Sequence, residues 1–141
     1  MSGTPEWLDL TTQVFHQWQC DHFGHINTRA YAAAFDDAIF LFWSRLGGRE
    51  AGQPVPVTAE MKTAFASEAE AGTVFGIRAR VMRTGGKSVT LRLEMSDAGQ
   101  GTPFASCEVI EVFFDLETRA SAAIPQAIRS RLTALCEAGN A

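Results

Sequence analysis

The sequence has little cysteine: Cys20, Cys107 and Cys136 are odd in number, far apart and in no CxxC pair. It therefore signals neither a disulfide framework nor a zinc knuckle, and reduced thiols in a cytosolic compartment fit best. It also lacks a long basic run. The densest cluster is Arg78, Arg80, Arg83 and Lys87, set against a net charge of −4 and a pI near 5.3. Phosphate-backbone affinity is supplied by clustered Lys and Arg, so no nucleic-acid partner is expected. No stretch of about 18 consecutive apolar residues occurs, which argues against a membrane-spanning helix. The opening MSGTPEWLDL has neither the basic start nor the apolar run of a signal peptide. These absences together predict a cytoplasmic protein without a membrane partner. Repeats, linkers and low-complexity segments are missing too, so residues 1–141 read as one domain.

What remains is an ordinary globular composition. Apolar residues make up 46% and charged residues 20% of 141, too apolar for disorder, and a chain of this length buries roughly 70% of the surface it would expose unfolded. From Leu8 to Trp18, the residues Leu8, Leu10, Thr12, Val14, His16 and Trp18 share one side of a period-2 pattern, predicting a half-buried strand. From about Ile26 to Leu46, Tyr31, Ala34, Phe35, Ala38, Phe42 and Leu46 recur at helical spacing, with Gly47-Gly48 as the stop. Ile39, Phe40, Leu41 and Trp43 make the second half of that helix apolar on most faces, so it should be enclosed. Four alternating segments follow, Val57 to Phe65, Val74 to Met82, Ser88 to Met95 and Phe104 to Asp115, joined by short turn-rich links that suit antiparallel hairpins. Pro125 to Glu137 reads as a terminal helix with Pro in its first turn. A curved antiparallel sheet rolled around one apolar helix buries both, an α+β arrangement.

Between the first strand and the long helix lies Gln19-Cys20-Asp21-His22-Phe23-Gly24-His25-Ile26-Asn27-Thr28, the most unusual stretch of the chain. With Tyr31 it resembles the D-x-x-G-H-[VI]-N-x-x-x-Y motif of the 4-hydroxybenzoyl-CoA thioesterase-like family of hotdog proteins. The likeness continues through Ala71-Gly72-Thr73, the turn Arg83-Thr84-Gly85-Gly86-Lys87-Ser88, and the ending Phe114 to Arg119 followed by Ile124-Pro125. It implies a hotdog fold: an antiparallel sheet wrapped around one long helix.

By that resemblance Asp21 is the catalytic carboxylate, a general base on water or a nucleophile at a thioester carbonyl. The chemistry is apt independently of the family. A thioester has a good leaving group and needs an activated oxygen and a partner for the developing oxyanion. Free N–H groups near Asn27 and Thr28, at the start of the helix, supply the second. Asp21 also fits an N-terminal cap or a solvated loop charge. Gly24 fits a positive φ, a close backbone approach to substrate, or a plain loop glycine. His25 is placed to orient Asp21 or touch substrate, while His16 and His22 read as strand and loop residues. Asn27 and Thr28 are caps or catalytic participants, and Tyr31 is a pocket wall or core. Asp21, His22 and His25 match no zinc spacing, and Cys20 lacks the local signature of a nucleophile, so neither metal nor cofactor is expected. Asp36 and Asp37 sit in an otherwise apolar helix and should need a partner if buried.

The family resemblance further implies that Arg83, Gly86, Lys87 and Ser88 help hold the coenzyme A portion of the substrate, a role physically apt for Arg, Lys and backbone amides. A basic hairpin turn is equally well solvated. The resemblance implies acyl-CoA hydrolysis by a homodimer or homotetramer, with Met61 to Phe65 and Phe75 lining an acyl pocket between subunits. Its rivals are a non-catalytic acyl-CoA or acyl-carrier binding module and a hydratase or dehydratase of the same fold.

Overall fold

The apolar stripe of the long helix dictates the architecture. In a computed structural model, which describes residues 7–140 with side chains to residue 136, helix α1 spans Thr28–Leu46 and buries Tyr31, Ala34, Phe35, Ala38, Ile39, Phe42, Trp43 and Leu46. Residues 1–6 and 141, included in the single-domain reading, lie outside the described residues. Strand β1 (Leu8–Val14) precedes α1; β2 (Val55–Phe65), β3 (Val74–Thr84), β4 (Ser88–Asp97), β5 (Pro103–Asp115), the short β6 (Ala120–Ser121) and helix α2 (Gln126–Asn140) follow it. The five long strands form one antiparallel sheet in the order β1-β3-β4-β5-β2, and β6 pairs with β5. This is the hotdog arrangement. Inward-facing Ile77, Val81, Leu91, Leu93, Met95, Val109 and Phe113 meet the helix in a single core, each large side chain contributing about 1.5–3 kcal/mol by leaving water. Gly47 ends α1 in the left-handed region at φ 77°, with its N–H on the Trp43 carbonyl at 2.7 Å. No helix among the described residues is long and apolar enough to cross a membrane.

Three expectations are corrected. The alternation of β1 does not run through to Trp18: the β1–β3 register shifts between Asp9 and Thr11, and such a bulge swaps the faces. Beyond it Phe15 enters the core, whereas Thr12, Val14 and His16 face outward and Trp18, in a 3₁₀ turn at Gln17–Gln19, is 78% exposed. Nor is α1 enclosed all round. The sheet covers one side only, leaving Phe40 49% and Leu41 38% exposed. Asp36 and Asp37 lie on that open side, so they need no buried partner. The acid that is buried is Glu111 on β5, 1% exposed, whose carboxylate accepts from Trp43 Nε1 at 2.8 Å and from the Thr58 hydroxyl.

Strand β2 is a sheet edge for its whole length. Val57, Met61 and Phe65 on it are all exposed, and its register with β5 shifts between Thr58 and Glu60.

Candidate active site

The motif folds into a tight loop because its backbone pairs with itself. Cys20 and Ile26 form a bridge at its base. Asp21 N–H donates to the His25 carbonyl at 2.8 Å, and Gly24 N–H returns to the Asp21 carbonyl at 3.0 Å. Gly24 sits at φ 83°, where a Cβ is disfavoured although one built there meets nothing within 4 Å. Of its three readings, the positive φ is the one this backbone requires.

Asp21 is held through one oxygen. Its Oδ1 accepts from Phe23 N–H at 2.9 Å and His25 N–H at 3.2 Å, which leaves Oδ2 without a donor among the described residues. Its pKa lies below the ordinary 3.8. Partial loss of water works upward, but the two amide bonds and the nearby His25 and His22 outweigh it. The group is thus a carboxylate at neutral pH with one oxygen available.

The start of α1 has its own arrangement. Asn27 caps the helix, its Oδ1 accepting from Arg29 N–H at 2.9 Å. Its own amide is committed to the Gln19 carbonyl at 2.9 Å. Of the two amides expected to be free, only that of Thr28 lacks an acceptor among the described residues, and it carries the partial positive charge of the helix end.

Asp21, His25, Asn27, Thr28 and Tyr31 all line one cleft of about 440 Å³. Its far wall is formed by residues 65–69, which follow β2, with Phe65 edge-on to Tyr31 at 5.0 Å between ring centroids. Glu68 spans the mouth, its Oε1 3.5 Å from His25 Nδ1. Both side chains are largely exposed, so this is a weak tether. Nothing local in the sequence marks Glu68; only the return of the chain after β2 brings it opposite His25. Tyr31 is buried beneath the cleft, its hydroxyl oxygen accepting from Ala69 N–H at 3.1 Å.

Other candidates lie elsewhere. The turn Arg83-Gly86-Lys87-Ser88 is at the opposite end of β3 from the cleft, on the order of 30 Å away at strand rise. There Gly85 N–H closes on the Ser88 carbonyl at 2.7 Å, and Arg129 of α2 reaches the Gly85 and Gly86 carbonyls. Within one chain this turn and Asp21 do not meet. Phe75 is buried in the core, stacked on Phe15 at 4.2 Å. Met61 is outside the cleft, and of that stretch only Phe65 lines it. Cys20 borders a separate depression beside Trp18 and Arg29. No three His, Cys, Asp or Glu side chains among the described residues are grouped to hold a metal ion.

A loop carboxylate with a free oxygen and an uncommitted helix amide, on residues that line one cleft, suit addition at a carbonyl. The profile of the thioesterase-like superfamily matches residues 15–132. No protein of curated function matches the chain. Among solved structures, a hypothetical protein from Staphylococcus aureus in complex with CoA superposes with a TM-score of 0.84 at 22% identity, over 98% of this chain and 88% of its own. A protein from Pseudomonas aeruginosa gives 0.79 at 24% identity, over 94% and 92%. A 1,4-dihydroxy-2-naphthoyl-CoA thioesterase from Synechocystis gives 0.78 at 14% identity, over 91% and 96%. At such identities the superpositions establish the fold.

Proposed function

Since the chain belongs to the thioesterase-like superfamily, we propose that it hydrolyses an acyl-CoA thioester to the free acid and coenzyme A, with Asp21 as general base or nucleophile. The observation that carries this reading is that Asp21, with its unengaged Oδ2, and Thr28, with its unengaged N–H, line the same cleft. In the general-base form, Asp21 takes a proton from water as the water oxygen bonds to the carbonyl carbon. The carbonyl oxygen becomes negative and is met by Thr28 N–H. Collapse breaks the C–S bond, and the departing thiolate recovers the proton from Asp21. In the nucleophilic form Oδ2 itself attacks, the C–S bond breaks to release the thiolate, and water cleaves the resulting anhydride, returning the carboxylate and supplying the thiolate's proton. A thiolate leaves readily, so neither route calls on a metal or redox cofactor. His25, tethered to Glu68, borders the approach to Asp21. The S. aureus structure with CoA supports a coenzyme A thioester as the ligand.

The functional unit is a homodimer or a tetramer built from dimers. An open edge of 11 residues in β2, with Val57, Met61 and Phe65 exposed along it and exposed Phe40 near Val57, is the surface a second copy would cover. Such pairing is also the route by which Arg83, Gly86, Lys87 and Ser88, remote from Asp21 in their own chain, could serve a neighbour's substrate. The test is thiol release from a panel of short, medium, long and aromatic acyl-CoA thioesters. Release supports hydrolysis, and binding without release favours the binding-module reading. Hydration of an unsaturated acyl-CoA with no thiol freed favours the hydratase.

A further inference from the structure

One buried polar hydrogen in the cleft has no partner. Tyr31 is 4% exposed, and its hydroxyl oxygen accepts from Ala69 N–H, yet its own proton meets no acceptor among the described residues. The ring is clamped by Phe15, Phe65 and Phe104, with centroids 5.1, 5.0 and 6.4 Å away, so the phenol is fixed in direction. Tyr31 follows Thr28 by three residues and shares its helix face, and helical side chains lean toward the N-terminus. One turn apart on one helix, both residues line the cleft. Burial raises the phenol pKa above its ordinary 10.0, with the Ala69 amide working the other way and Glu68 adding to the rise. At neutral pH, where Asp21 is ionised, Tyr31 is therefore a neutral donor.

We infer that the Tyr31 hydroxyl is a second oxyanion donor, gripping the thioester carbonyl oxygen together with Thr28 N–H. This rests on the thioesterase reading and deepens it by giving Tyr31 a part in the reaction. As the attacking oxygen bonds to carbon, the carbonyl π pair moves onto oxygen between these two donors, and it returns as the C–S bond breaks. Tyr31 keeps its proton throughout. The acceptor bond from Ala69 N–H polarises the O–H outward, the usual cooperative effect in a hydrogen-bond chain.

Tyr31→Phe keeps the ring packing and removes the donor. Two inert ligands separate donation from mere support of the 66–69 wall: a ketone analogue, with CH₂ in place of sulfur, and a thioether analogue, with CH₂ in place of the carbonyl. The variant should lose about 10²–10³-fold in kcat, with KM raised by no more than the roughly tenfold that one hydrogen bond to the ground-state carbonyl is worth. Its affinity for the ketone should fall about tenfold, the worth of one buried hydrogen bond, while the thioether binds as before, which also shows that the variant is folded. Equal weakening of both ligands, or a kcat within about threefold of wild type, overturns the inference. Should wild type release no thiol from any thioester, the hydrolase reading fails. The analogue comparison then decides separately: a ketone preference lost in the variant upholds Tyr31 as a carbonyl donor, and one retained overturns it.

Discussion

Replacing Glu111 tests how the sheet is bolted to the helix. Its carboxylate is 1% exposed and joins α1, through Trp43 Nε1, to the edge strand β2, through the Thr58 hydroxyl. Glu111→Ala strands the indole N–H in the core, at about 1–3 kcal/mol for an unsatisfied buried donor, and leaves a void worth about 1–2 kcal/mol more. Thr58 is exposed and can turn to water, so it adds nothing. The sum, about 2–5 kcal/mol, is a large share of the roughly 5–15 kcal/mol that holds a domain together. Glu111→Gln keeps an acceptor for Trp43 and presents its NH₂ to a hydroxyl free to rotate, so it should cost about 1 kcal/mol or less. Urea unfolding, read by the fluorescence of Trp43 among the three tryptophans, measures both variants. At about 3 °C per kcal/mol for a domain of this size, the Ala variant should melt about 6–15 °C lower. Equal losses in the two variants, or a loss below about 1 kcal/mol in Glu111→Ala, would refute the assignment of Glu111 as the bolt.

Two further predictions follow from the cleft and the open edge. Because Asp21 has its pKa depressed below 3.8, the carboxylate form persists as acid is added: its contribution to folding is present above 3.8 and lost only as pH falls through the lower folded value. The acid limb of kcat/KM should accordingly be flat down to about pH 5, and a half-fall between about pH 6 and 7 would transfer the titrating role to a histidine. In solution the protein should sediment at two or four times 15.3 kDa, and Val57→Lys with Phe40→Lys should convert it to monomer; a monomeric wild type contradicts the paired-edge reading.

Much of this was legible in the residues because periodicity reports burial directly. The stripe from Tyr31 to Leu46, the Gly47 stop and the alternation of β3, β4 and β5 all reflect contacts along a single element, and each element's expected bounds fell within two residues of the observed ones. What was not legible depends on partners distant in sequence. A bulge set by pairing with β3 moved Phe15 into the core and Trp18 out of it, and no pattern within Leu8 to Trp18 announces it. The open side of α1 was likewise hidden, because apolar Phe40 and Leu41 look the same whether a sheet or nothing in this chain covers them. At the site, the short motif gave Asp21, Gly24, Asn27, Thr28 and Tyr31 as neighbours, since a tight loop and a first helical turn keep them close. Glu68 and Ala69 reach the cleft only through the fold, and the commitment of the Asn27 amide to Gln19 follows from loop geometry that spacing does not express.

The most direct test of the central claim is thiol release by Asp21→Asn beside wild type. The Asn side-chain oxygen can still accept the Phe23 and His25 amides that now bind Oδ1, so the loop keeps its shape while the free Oδ2 becomes an NH₂ group that neither takes a proton nor attacks carbon. The account predicts a fall of about 10²–10⁴ in kcat with acyl-CoA binding and melting temperature retained. Hydrolysis by Asp21→Asn at the wild-type rate would contradict it and move the chemistry to another group.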